Sequence, residues 1–136
     1  MSSVSDIKDQ LVIILGAVTG VDQALDYMPR FIDKNVTVGI YYDGATFETA
    51  EVASHWAHYE MLITAFIYMY DEKTIQETQE TLGELMLSAL RAKPSLNSVC
   101  LKHSLNRLKN DYAQLGNGNI YATIEITLVA DVEEDD

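Results

Sequence analysis

The chain has 136 residues, a net charge of −12 at neutral pH and one cysteine. This length is typical of one domain with its own hydrophobic core, which we predict to span residues 1–136, and a lone cysteine excludes an intramolecular disulfide. The 48% hydrophobic and 22% charged residues exclude global disorder, and the acidic balance disfavours a free nucleic-acid-binding protein, which needs a basic face for phosphates.

The N-terminal residues lack a basic segment followed by an apolar stretch, so we expect no signal peptide. The longest apolar runs, residues 11–15 and 65–70, are far shorter than the ~20 residues of a membrane-spanning helix. We therefore expect a protein made in the cytoplasm, with no membrane partner.

The first half of the chain predicts one helix and two strands. Residues 21–35 are expected to be a connection, residues 36–42 a strand ended by an Asp43-Gly44 turn, and residues 45–59 a loop or the outer part of a long hairpin. Residues 60–70 predict a strand with one aliphatic and one aromatic face. The helix comes before all of these segments, near the start of the chain. It is indicated by apolar residues at helical spacing, which are Ile7, Leu11, Ile14, Leu15 and Val18.

The second half predicts one helix and two further strands. Thr74 and Glu77 match a capping box at the start of a helix, and Pro94 ends it. A short strand is expected near Asn97, and residues 104–115 fit either a helical turn or a strand with a bulge. Alternating residues at 120–132 predict the last strand, and the acidic residues 133–136 are expected to form a flexible tail.

These elements predict an α+β fold: a mixed, mostly antiparallel sheet of about four strands in the order α-β-β-α-β-β, with two helices packed on one face. Two helices cover only one face of such a sheet, so we expect the other face to contact a partner. The aromatic residues predicted on that face are Tyr41, Phe66, Tyr68, Tyr70 and Tyr121.

A basic segment interrupts the acidic chain. Residues 91–112 carry five bases and one acid, and in a symmetric ring such a segment on one subunit meets an acidic surface on the next. Scattered, solvated charge is the alternative. The bases that we predict at a subunit or tube interface are Lys102, Arg107 and Lys109, and reversing the charge of the latter two is expected to weaken association more than folding.

No residue pattern indicates catalysis or a cofactor. His55 and His58 are the only candidate zinc ligands, with Glu51 or Glu60 as a third, but they lie three apart in a segment without helical periodicity. Cys100 beside His103 lacks an orienting third group and is better explained as a small buried residue. The acids Asp43, Glu48 and Glu51 match no cation-binding loop, and residues 16–20 lack the lysine of a phosphate loop.

In the order of these elements, its length and its acidic balance, the chain resembles the tail terminator proteins of long-tailed bacteriophages. The parts that carry the resemblance are the first helix, VTVGIYY at 36–42, EMLITAFIYMY at 60–70, the helix over 74–91 and IYATIEITLVADV at 120–132. The resemblance implies a structural virion subunit without enzymatic activity, which forms a ring, typically a hexamer, on the finished tail tube. Such a ring stops growth of the tube and docks to the head.

The resemblance also implies partners. They are further copies of the same chain, the tail tube protein and a head-completion or neck protein, with DNA passing through an acidic lumen without specific binding. Two alternatives stay open: a tail-completion or neck protein of the same fold, and a small oligomeric α+β module that binds a ligand on the aromatic sheet face.

Overall fold

The computed structural model of the chain describes residues 4–49, 54–68, 72–116 and 118–135. It has the predicted α+β class, with five strands in place of about four. In chain order the elements are α1 (Val4–Gly16), β1 (Gln23–Leu25), β2 (Val36–Thr49), β3 (Ser54–Tyr68), α2 (Glu72–Arg91), β4 (Lys102–Gln114) and β5 (Ile120–Asp135). No described helix is both long enough and apolar enough to cross a bilayer.

The strands form one sheet in the order β1-β2-β3-β5-β4. β1 runs parallel to β2, and every other neighbouring pair is antiparallel. β1 lies within residues 21–35, where a connection was predicted. Three residues are too few to show an alternating pattern, so the sequence carries no signal for this strand.

β2 and β3 form a long hairpin, which confirms the hairpin interpretation of residues 45–59. Residues 44–49 of β2 pair with residues 55–60 of β3. Asp43 does not begin a turn: the register shifts between Tyr42 and Gly44, so the Asp-Gly pair forms a bulge inside the strand. Gly44 has a φ of 136°, a backbone conformation that favours glycine.

The main core lies between the two helices and one face of the sheet, as predicted. The alternating residues of β5 that were expected in the core are buried from Ala122 to Val132, whereas Ile120 at the start of the strand is 53% exposed. Their neighbours on the central strand β3 are also buried. The core residues contributed by the helices include Ile7, Leu11, Leu15, Ile75, Leu82, Met86 and Leu90.

α2 begins two residues before the predicted capping box, so Thr74 lies inside the first turn and is not the N-cap. The buried stripe of this helix contains one polar residue, Gln79. Its Nε2 donates to the backbone oxygens of Thr123 (3.0 Å) and Asp111 (3.2 Å), which fixes α2 against β4 and β5. Hydrogen bonding explains how this amide tolerates burial.

Residues 92–101 form turns, and the strand predicted near Asn97 begins only at Lys102. Leu96, Asn97 and Ser98 all have positive φ values, which place a fully buried Leu96 in the core. Three consecutive left-handed residues cannot continue an extended strand, and that is why the prediction was wrong there. β4 follows, with a register shift between Leu105 and Arg107, which confirms a strand with a bulge.

The sheet face opposite the helices is partly covered, which corrects the expectation that it is bare. Met28 and Ile32, from the connection between β1 and β2, pack over Phe66 and Tyr121. A second, smaller core results at that end of the sheet. At the other end, the acidic residues 133–135, predicted as a flexible tail, belong to β5 and pair with residues 54–56 of β3.

Candidate assembly interface

One part of the sheet face opposite the helices stays uncovered, and we call this part the open face. It comprises the outward-facing residues of β2 to β5 that lie beyond the small core, namely Tyr41, Leu62, Thr64, Arg107, Lys109, Glu125 and Thr127. Above it is an open depression of about 360 Å³, bordered at one end by Met28 and Phe66 of the small core. The depression has both apolar and charged walls, which suits a protein contact better than an enclosed small-molecule site.

The aromatic residues predicted on this face divide into two groups. Tyr41 is 50% exposed on β2 and belongs to the open face. Phe66 and Tyr121 are buried in the small core, so neither is available to a partner. Tyr68 is half-buried and packs edge-on against Tyr121, with 5.8 Å between ring centroids. Tyr70 lies outside the described residues.

The three predicted basic residues lie together on β4, which is the strand at one edge of the sheet. Lys102, Arg107 and Lys109 are all exposed. Nζ of Lys109 is 3.2 Å from Oδ2 of Asp111. The backbone N–H of Tyr112 and then this lysine lower the pKa of the Asp111 carboxyl, while Arg107 and Lys102 have no carboxylate within ion-pair distance among the described residues. These two cations are therefore free to meet an external acid.

His58 joins three strands near the outer end of the sheet. Its Nδ1 lies 2.5 Å from Oδ1 of Asp131 on β5, and its Nε2 lies 3.4 Å from Oε2 of Glu48 on β2. The hydrogen bond to Asp131, and more weakly the nearby Glu48 carboxylate, raise the pKa of His58 against an opposing effect of burial. The two carboxylates favour the protonated form of the imidazole, whereas a metal ligand must be a neutral imidazole.

The arrangement around His58 gives no support to His55 and His58 as candidate zinc ligands. The side chain of His55 lies outside what the structure describes, and within the described residues no three His, Cys, Asp or Glu side chains are grouped to hold a metal ion. His58 acts instead as a cross-strand link. Sequence reasoning missed its partner Asp131, because 73 residues separate the two and only the sheet order brings them together.

We expect His58 to make folding stability depend on pH. Its pKa is higher in the folded than in the unfolded chain, so its contribution is complete below the unfolded value of about 6.5 and is lost as the pH rises through the folded value. Urea unfolding of the wild type and His58→Gln at about pH 6 and about pH 9 tests this. The free energy of unfolding of the wild type should exceed that of the variant by more at the lower pH. An equal difference at both pH values would contradict the expectation.

Cys100 is held as a neutral thiol. It is buried, and desolvation together with the nearby Asp131 carboxylate raises its pKa to about 11. Near neutral pH almost no nucleophilic thiolate forms. His103 is engaged elsewhere, with its Nε2 2.8 Å from the backbone oxygen of Leu90. This geometry fits the interpretation of Cys100 as a small buried residue.

No protein-family model and no curated protein matches the chain. Among solved structures, a chain from the virion of a native gene transfer agent particle is 10% identical, with a TM-score of 0.47. The match covers 94% of this chain and 92% of that one.

Proposed function

We propose that the protein is a structural virion subunit that forms a ring at the end of a phage tail tube, as tail terminators do. The observation that carries the proposal is the basic β4 edge beside an open sheet face in a chain of net charge −12. Complementary charges between copies favour association and fix its register. The resemblance of the element order to tail terminators adds the choice of a ring on a tube.

The proposed partners follow from the same role. They are other copies of the chain, the tail tube protein and a head-completion or neck protein, and the location is the virion. A ring of acidic subunits gives a lumen that repels phosphates, so that DNA passes through without sticking. A neck or tail-completion subunit of the same fold is the nearest alternative.

The first test is the native mass of the purified protein across a concentration series, with and without Mg²⁺, together with negative-stain images. We expect a closed ring of about six subunits with a central hole, as the resemblance implies. The ring should also bind to the end of tail tubes assembled from the tube protein. A compact dimer without a hole, unchanged by concentration, would overturn the proposal.

A ligand-binding module is the second candidate, and the depression over the open face is the observation that favours it. Such a module is stabilised by its ligand, because a ligand that binds only the native state raises the free energy of unfolding. A thermal-shift screen of metabolites separates the two functions. A saturable rise in Tm that Tyr41→Ala removes would favour the module over the ring subunit.

A further inference from the structure

Two edges of the sheet are left unpaired. β4 pairs with β5 on one side only, and its other side has no neighbouring strand among the described residues. At the opposite edge, β1 covers residues 37–39 of β2, and residues 40–49 have no neighbouring strand there in the part of the chain that the structure describes. Unpaired backbone N–H and C=O groups on an edge form a template for another strand.

The two edges carry opposite charge. The edge of β4 presents Lys102, Arg107 and Lys109 against the single acid Asp111. Residues 40–49 of β2 contain Asp43 and Glu48 and no base. Lysine, arginine and a bulge commonly protect an edge strand against unwanted pairing. Here the same charges reject a basic or neutral edge and accept an acidic one.

Exposed apolar side chains accompany both edges. Tyr41 (50% exposed) and Phe47 (64%) lie on the outer half of β2, and Leu108 (37%) and Tyr112 (47%) lie on β4. Apolar and aromatic side chains at the centre of a contact provide most of its affinity, while the surrounding charges set its register. Each edge therefore has both components of a specific interface.

The strand directions are compatible with continuation of the sheet. β2 and β5 run in one direction, and β3 and β4 run in the other, because successive neighbours in this part of the sheet are antiparallel. A rotation about an axis roughly along the strands leaves these directions unchanged. It places β4 of one copy antiparallel to β2 of the next, which continues the alternation.

We propose that the occupant of each edge is a second copy of this chain: β4 of one subunit pairs with residues 40–49 of β2 in the next. The contact joins two different surfaces, so repetition closes a ring when the rotation allows it. This inference rests on the proposed function for closure into a ring, but the pairing of the two edges is a separate claim.

The test uses two charge-reversed variants. One carries Arg107→Glu and Lys109→Glu on β4, and the other carries Asp43→Lys and Thr46→Lys on β2. Thr46 is chosen because it is exposed and leaves Glu48 in contact with His58. At low salt, the protein concentration needed for assembly should be at least about tenfold higher for each variant alone than for the wild type, because like charges then face each other.

Mixing the two variants provides the decisive measurement. The acidic β4 of one then meets the basic β2 of the other, and the remaining contact joins a native β4 to a native β2. Alternating assemblies with an even number of subunits should therefore form from two variants that fail separately. Failure of the mixture to assemble, while both variants keep the circular dichroism and unfolding midpoint of the wild type, would overturn the inference.

A matched control carries Lys73→Glu and Arg91→Glu on α2. Both residues are exposed, and the change in net charge equals that of the β4 variant. This control should assemble like the wild type.

Hydrogen exchange tests the backbone pairing directly, since assembly should slow the exchange of the backbone amides of residues 40–49. A wild type that stays monomeric at about millimolar concentration, or unaltered exchange in an assembled one, would overturn the inference.

The outcomes separate this inference from the proposed function. A ring that forms equally well from either variant contradicts edge pairing and leaves the terminator role in place. A dimer or open filament that shows the mixing rescue supports edge pairing and contradicts a closed terminator ring. Only the ring with mixing rescue supports both.

Discussion

Ile126→Glu is expected to abolish folding. Ile126 lies in the middle of β5, is 1% exposed, and is paired with Ile63 on β3 and Leu108 on β4. A carboxylate there has no partner and cannot reach water, and an unpaired buried charge costs about 5 kcal/mol or more, comparable to the whole stability of a small domain. Circular dichroism and one-dimensional NMR of the purified variant should show an unfolded or aggregated chain.

Ile120→Glu is the matched control, because it makes the same substitution in the same strand. Ile120 is 53% exposed, so its glutamate stays in water. We expect the unfolding midpoint of this variant to stay near that of the wild type, with a change in free energy of less than about 1 kcal/mol. Equal loss of folding in both variants would show that β5 does not have the register described.

Gly39→Ala is expected to destabilise the protein by about 2–3 kcal/mol. A Cβ atom on Gly39 would lie 2.8 Å from Sδ of Met28, 2.9 Å from Cδ of Pro29 and 2.9 Å from the backbone oxygen of Tyr27. Two of these three atoms belong to a proline ring and a main chain, which cannot move aside as a flexible side chain does. The variant must displace the segment that covers the small core. Urea unfolding measures the loss.

Gly16→Ala serves as the control for the added methyl group. A Cβ atom at Gly16 would meet only Cβ of Ala24, at 3.6 Å, which is ordinary van der Waals contact. The residue ends α1, where alanine is at least as favourable as glycine. A change of less than about 0.5 kcal/mol is expected, and a Gly39→Ala variant as stable as this control would contradict the close contact described at Gly39.

The sequence predicts the main core well, because its residues belong to regular hydrophobic patterns that continue along a whole helix or strand. The alternation along β5 and the apolar stripe of α2 were sufficient to place Ile124, Ile126 and Met86 in the interior. It does not predict β1, whose three residues are too short for a pattern, or the turn at Leu96–Ser98, whose positive φ values have no glycine to signal them. Local residue type gives no sign of a backbone conformation that distant packing imposes.

The open face is predicted only in part for a similar reason. The alternation correctly separated Tyr41, Phe66 and Tyr121 from the helix-covered face, but the covering segment has no pattern that links it to them. Ile32 buries two of the predicted contact residues from within a stretch expected to be a connection. The basic residues of β4 remain exposed because that strand lies at the border of the sheet.

The position of β5 has a consequence for the order of events during synthesis. β5 follows β4 in the chain, but it lies between β3 and β4 in the sheet. A nascent chain that has passed residue 114 can form the β2–β3 hairpin, while β4 still has no strand to join. Completion of the sheet then waits until residues 120–135 leave the ribosome and insert between two strands that expose their edges. Hydrophobic strands waiting in this way are vulnerable to aggregation and favour capture by a chaperone.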